Sequence, residues 1–115
     1  MIAAVSASGA SLDDRVHSQF GRCDYFLVVD TESLDMHPVI NTFASAATGA
    51  GTACAQIMFD EKVQGVVSGQ VGPNAYEVLV QAGIDIFLCP PGLTVREAVD
   101  RLNRSELQKM ELQRF

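Results

Sequence analysis

The stretch VQGVVSGQVGPNAYEVLVQAGIDIFL, residues 63–88, decides the fold. Its first five residues, Val63 to Val67, read as a short strand. Pro73 stands where a first helical turn tolerates a missing amide hydrogen, and Gly83 stands where a helix stops. Between them Ala75, Val78, Leu79 and Ala82 recur at helical spacing and define an inward face. Ile84 to Leu88 reads as a second strand. Strands separated by a helix are expected to lie parallel, joined by a right-handed crossover.

The same alternation continues on both sides. Ala50, Ala53, Cys54, Ile57 and Met58 fall at i, i+3, i+4, i+7 and i+8, one face of a helix. Thr94 with Glu97 three residues later forms a capping box, opening a helix that buries Val95, Ala98, Val99 and Leu102. Upstream, the runs Ile2 to Val5, Tyr25 to Val29 and Met36 to Ile40 read as strands, and Pro38 makes the third an edge or a bulge. The order β-β-β-α-β-α-β-α predicts an α/β domain, a ribonuclease-H-like three-layer α/β/α sandwich with a mixed five-stranded sheet. Residues 1–103 form that domain in this reading, and residues 104–115 form a polar tail whose order is left open.

Composition narrows the function. Hydrophobic residues make up 48% of 115 residues, enough for one core. The net charge of −6 argues against nucleic acid, whose phosphates must be neutralised by Lys and Arg. No apolar run reaches the roughly 20 residues of a membrane span. The start, Met1 to Val5, lacks the basic region of a signal peptide, so the expectation is a soluble, cytoplasmic protein. Cys23, Cys54 and Cys89 form no Cys-x-x-Cys pair, which disfavours a disulfide framework or structural zinc.

Glycine concentrates in segments that the topology brings to one rim, outside the carboxyl ends of the parallel strands. These are Ser6–Gly9, Phe20–Cys23, Thr48–Thr52, Gly69–Asn74 and Cys89–Gly92. Two of them lead into helices, where free N–H groups and the positive dipole end favour an anion. The candidate binding residues are Ser8, Gly9, Gly21, Gly49, Ala50, Gly51, Thr52, Gly72, Pro73 and Asn74. Arg22 is a hydrogen-bond donor to that anion, Arg15 and His17 are mobile positive charges on the long first loop, and Asn41 lies near the rim. The expected site is an open, amide-lined, weakly basic bowl on an acidic protein.

Phe20-Gly21-Arg22, Gly49-Ala50-Gly51 and Gly69-Gln70-Val71-Gly72-Pro73-Asn74-Ala75 with Ala82-Gly83-Ile84 resemble the dinitrogenase iron–molybdenum cofactor biosynthesis family, over about residues 1–102. The resemblance extends to its "orange protein" group, which holds a molybdenum–copper sulfide cluster. It implies the ribonuclease-H-like fold and a non-catalytic carrier that binds an anionic molybdenum-containing metal–sulfur cluster non-covalently. The cluster is of the molybdenum–copper sulfide or iron–molybdenum cofactor type. Assembly, storage or delivery follows from that, with a cluster-assembly or recipient protein as partner.

Cys23 stands where many relatives would carry a small residue such as alanine. It is read here as a metal ligand beside Arg22 or as a small packed residue. His17 is a second candidate metal ligand, Cys89 a weaker one, and Cys54 belongs to the core. A nuclease would need clustered carboxylates at strand ends, and Ile2 to Val5 has none. A nucleotide- or phosphate-binding regulatory module remains the alternative, although neither phosphate-loop motif occurs and lysine is absent from the loops. A thiol redox protein lacks a resolving cysteine close in sequence.

Overall fold

A computed structural model describes residues 1–111. The strands are β1 (Ile2–Ala7), β2 (Tyr25–Asp30), β3 (Met36–Ile40), β4 (Gly65–Ser68), β5 (Asp85–Leu88) and β6 (Gln108–Lys109). The helices are α1 (Ala50–Asp60), α2 (Pro73–Gln81) and α3 (Val95–Asn103), and a 3-10 turn covers Phe20–Arg22. The strands form one mixed sheet in the order β3-β2-β1-β4-β5-β6. β1 is central, antiparallel to β2 and parallel to β4, and β4 runs parallel to β5.

Period-2 alternation assigns the two faces. Phe26, Val28, Val66 and Ile86 pack with Cys54, Met58 and Leu79 of α1 and α2 in one core cluster. Val5, Leu27, Val29 and Val67 pack with Val95, Ala98 and Val99 of α3 in the other. Helices therefore cover both faces of the sheet, giving three layers. β3, the strand interrupted by Pro38, is an edge strand, where a missing N–H leaves no unsatisfied partner.

The sheet has six strands and not the expected five. β6 forms within the segment read as a polar tail, pairing antiparallel with β5 through Phe87↔Lys109 and Leu88↔Gln108. Its side chains are exposed, so it carries no apolar alternation by which to recognise it. Leu107 and Met110 on either side pack against the two cores, and Lys109 lies 3.2 Å from Asp85. Residues 112–115 of that tail lie outside the described residues.

The long loop after β1 is held in place at its tip. It folds back onto the start of α3, with Val95 N donating to Asp14 O and Arg96 N to Leu12 O. Arg15 is held there, donating through Nη1 to the Gly92 carbonyl, and is not a mobile charge.

Candidate anion-binding site

α1 and α2 both begin at the rim, and neither has a side-chain cap. The N-cap residues are Gly49, in the left-handed region at φ 76°, and Gly72. α3 differs, because Thr94 Oγ1 accepts from Glu97 N at 3.1 Å and Glu97 Oε1 accepts from Thr94 N at 3.0 Å. Hydrogen bonding from the Thr94 backbone N–H, and then from its side chain, holds the Glu97 carboxyl below the usual carboxylate range. α3, on the opposite face of the sheet, satisfies its own terminus, whereas α1 and α2 leave their first N–H groups without side-chain acceptors.

Glycines let these termini meet. A Cβ on Gly51 would stand 3.2 Å from the Ala75 Cβ, and one on Gly21 would stand 3.1 Å from the Gly51 nitrogen. The Phe-Gly-Arg turn and the first turns of both helices thus enclose a bowl of about 310 Å³. Gly21, Arg22, Gly49, Ala50, Gly51 and Gly72 line it, with Gln19, Phe20 and Gln70 completing the wall. None of these residues is acidic, in a chain with 14 Asp and Glu residues.

Of the residues expected from sequence, Gly21, Arg22, Gly49, Ala50, Gly51 and Gly72 are brought together in this bowl. Thr52, Pro73 and Asn74 are exposed on the same first helical turns but do not line it. Ser8 and Gly9 lie apart. Ser8 N donates to the Arg15 carbonyl at 3.0 Å, and Gly9 packs against the Asp14 carboxylate. His17 lines a neighbouring hollow together with Cys89.

Arg22 lines the bowl, but its Nη1 is engaged. It donates to the carbonyls of Ala44 at 3.0 Å and Ala46 at 2.6 Å, tying the segment after β3 to the rim. The remaining guanidinium N–H groups make no bond to the described residues.

Cys23 lies beneath the rim, fully buried, and not on it. Burial, reinforced by the charge of nearby Cys54, pushes its thiol up to about 12. Burial likewise raises Cys54 to about 11, with partial relief from the Asn41 hydrogen bond and Arg22. Desolvation also raises Cys89. Sequence spacing put Cys23 beside Arg22, yet the turn sends the two side chains to opposite sides of the wall.

Asn41 emerges as the hub of that wall and is 5% exposed. Its Nδ2 donates to the carbonyls of Cys23 at 2.8 Å and Gly21 at 3.2 Å. Its Oδ1 accepts from Phe43 N at 3.0 Å and from Cys54 Sγ at 3.3 Å. A single Asn before a loop gives no sequence signal of this kind. Among the described residues no three His, Cys, Asp or Glu side chains converge as a metal site.

A family profile described as "Dinitrogenase iron-molybdenum cofactor" matches residues 1–105. The chain belongs to that family. The orange protein of Desulfovibrio gigas, solved in its apo form, superposes with a TM-score of 0.90 at 34% identity, covering 95% of this chain and 92% of that one. A NifB-like protein of the DUF35 family from Thermotoga superposes with a TM-score of 0.83 at 32% identity, covering 98% and 97%. An uncharacterised protein of Methanocaldococcus jannaschii is 28% identical over 102 residues, 86% of each chain. Membership connects the chain with the dinitrogenase cofactor and with proteins of the orange-protein kind. No helix among the described residues is long and apolar enough to cross a membrane.

Proposed function

We propose that this chain is a non-catalytic carrier of an anionic molybdenum-containing metal–sulfur cluster, held without covalent bonds in the bowl between α1 and α2. The observation that carries the reading is the pair of uncapped helix N-termini, packed side by side through Gly51 and Ala75 and free of acidic neighbours. Partial positive charge at each terminus favours an anion by about 0.3–1 kcal/mol, and oriented backbone N–H groups add hydrogen bonds. A sulfide-rich surface accepts such bonds at many points.

The cargo is of the molybdenum–copper sulfide type or the iron–molybdenum cofactor type, and the family connection supports either. Gly21, Arg22, Gly49, Ala50, Gly51 and Gly72 hold it, with Thr52, Pro73 and Asn74 at the margin. The chain then serves cluster assembly, storage or delivery in the cytoplasm on a ribonuclease-H-like fold, handing its cargo to a recipient protein. Because the bowl is open, the cluster is easily lost on purification.

The test is anaerobic incubation of apoprotein with tetrathiomolybdate and a cuprous salt, followed by metal analysis and visible absorption. Retention of molybdenum and copper in fixed ratio supports the carrier reading. If no metal is retained, and an iron–molybdenum–sulfur cofactor also fails to bind, the reading falls. Thermal stabilisation by nucleotides alone would then establish a nucleotide- or phosphate-binding regulatory module.

A further inference from the structure

A second hollow of about 470 Å³ opens on the same rim, lined by His17, Ser18, Gly69, Gln70, Cys89 and the turn after it. Gln70 lines both hollows, and the segment from His17 to Gln19 runs from one to the other. The bowl alone, at about 310 Å³, is at the small end of ligand sites, which span about 300–1,000 Å³.

The second hollow is built around a fixed histidine. His17 N donates to the Ser6 carbonyl at 2.8 Å, and the buried Ser6 hydroxyl donates back to the His17 carbonyl at 3.0 Å while pairing with Ser68 Oγ at 2.8 Å. Gly69 N also donates to His17 O, at 3.4 Å. A Cβ on Gly69 would stand 2.8 Å from the Ser18 Cα and carbonyl oxygen, so only glycine lets the two backbones cross this closely. The ring is oriented too, because Gln19 N donates to Nδ1 at 3.0 Å. The Gln19 carbonyl oxygen lies 3.1 Å from the same nitrogen, and in the tautomer that accepts from Gln19 N the hydrogen sits on Nε2, which has no partner among the described residues. A loop histidine that was merely exposed would need neither the staple under its backbone nor the lock on its ring.

We infer that the cargo surface is two-lobed: a polynuclear thiometallate anion seated in the bowl extends across Gln70 into the second hollow, where His17 Nε2–H donates to its far sulfides. This rests on the carrier reading and adds a second lobe, at His17, to the surface that holds the cargo. A mononuclear tetrahedral thiometallate fills the bowl alone and leaves His17 untouched. Cys89, buried and raised by desolvation, stays a neutral thiol in the wall of the second lobe.

Two probes separate the lobes: tetrathiomolybdate alone, and the polynuclear copper–thiomolybdate anion formed when a cuprous salt is added. In ¹⁵N-labelled wild-type protein the His17 Nε2 resonance should shift with the polynuclear probe and stay in place with the mononuclear one. His17→Ala should loosen the polynuclear probe on the order of tenfold, as expected for one hydrogen bond to an anion, with the mononuclear probe unaffected. His17→Gln, which keeps an N–H within reach, should restore most of the difference. An Nε2 resonance that ignores both probes, or a His17→Ala effect equal for both, overturns the second lobe. If wild-type protein retains neither probe, and an iron–molybdenum–sulfur cofactor also fails to bind, the carrier reading itself has failed. If it retains both while Nε2 stays silent, only the second lobe has.

Discussion

Asn41→Asp is the sharpest perturbation of the bowl's wall, because it keeps shape and volume and exchanges two donors for an acceptor. The substituted carboxylate can still accept from Phe43 N and Cys54 Sγ. Lost are the two N–H bonds to the carbonyls of Gly21 and Cys23, at 3.2 and 2.8 Å. Each bond contributes about 1 kcal/mol net, and a buried acceptor left facing another acceptor costs about 1–3 kcal/mol. The sum is about 3–5 kcal/mol, without a cavity contribution, against a typical stability of about 5–15 kcal/mol. Urea denaturation at pH 7 should therefore show a markedly lower midpoint with an unchanged slope. The sign of the pH response follows from burial. A carboxyl packed against carbonyl oxygens has its folded pKa raised, so the variant recovers stability as pH falls and the group protonates, regaining one donor. A loss below about 1 kcal/mol at pH 7, or no recovery at pH 5, would refute the role assigned to Asn41.

Three further outcomes are expected. Arg22→Ala should reduce cargo retention and speed hydrogen exchange between residues 42 and 48, where the Ala44 and Ala46 carbonyls lose their partner. Stability should change by less than about 1 kcal/mol, since the side chain is exposed, and unchanged retention would remove Arg22 from the site. The buried thiols should resist an aromatic disulfide reagent in native protein at pH 8. Because burial raises Cys23 to about 12 and Cys54 to about 11 from 9.0, they favour the folded state below pH 9.0. That contribution fades as pH rises through the folded values, so an alkaline melt that stays flat to pH 11 contradicts their burial. Thr94→Ala should cost about 1 kcal/mol by removing the α3 capping box, read by thermal melting, with loading of tetrathiomolybdate alone in the bowl unaffected because α3 packs on the opposite face of the sheet from α1 and α2.

Most of the framework was legible because its signals are local. The 3.6-residue recurrence in Ala75 and Leu79, the Pro73 and Gly83 punctuation and the Thr94–Glu97 box all act within a few residues, and each marks an element that forms. β6 escaped because two exposed residues have no period, and its pairing is with backbone fixed elsewhere in the chain. Cys23 stayed open between ligand and packed residue because adjacency to Arg22 in sequence says nothing about which side of a turn a residue faces, and the structure buries it.

The sequence by itself determined the order of β1 to β5 and the three helices, and the helix faces that make the packing three-layered. Local stereochemistry suffices for those, since helical and strand periods and the freedom of glycine are properties of short stretches. Only the tertiary structure decided which backbone N–H groups face a common space, because that depends on contacts between distant residues. Gly51 meets Ala75, Gly69 passes Ser18, and Asn41 reaches back to Gly21 and Cys23. Those contacts separate a bowl of uncapped helix termini from a second hollow around His17, and they withdraw all three thiols into the interior.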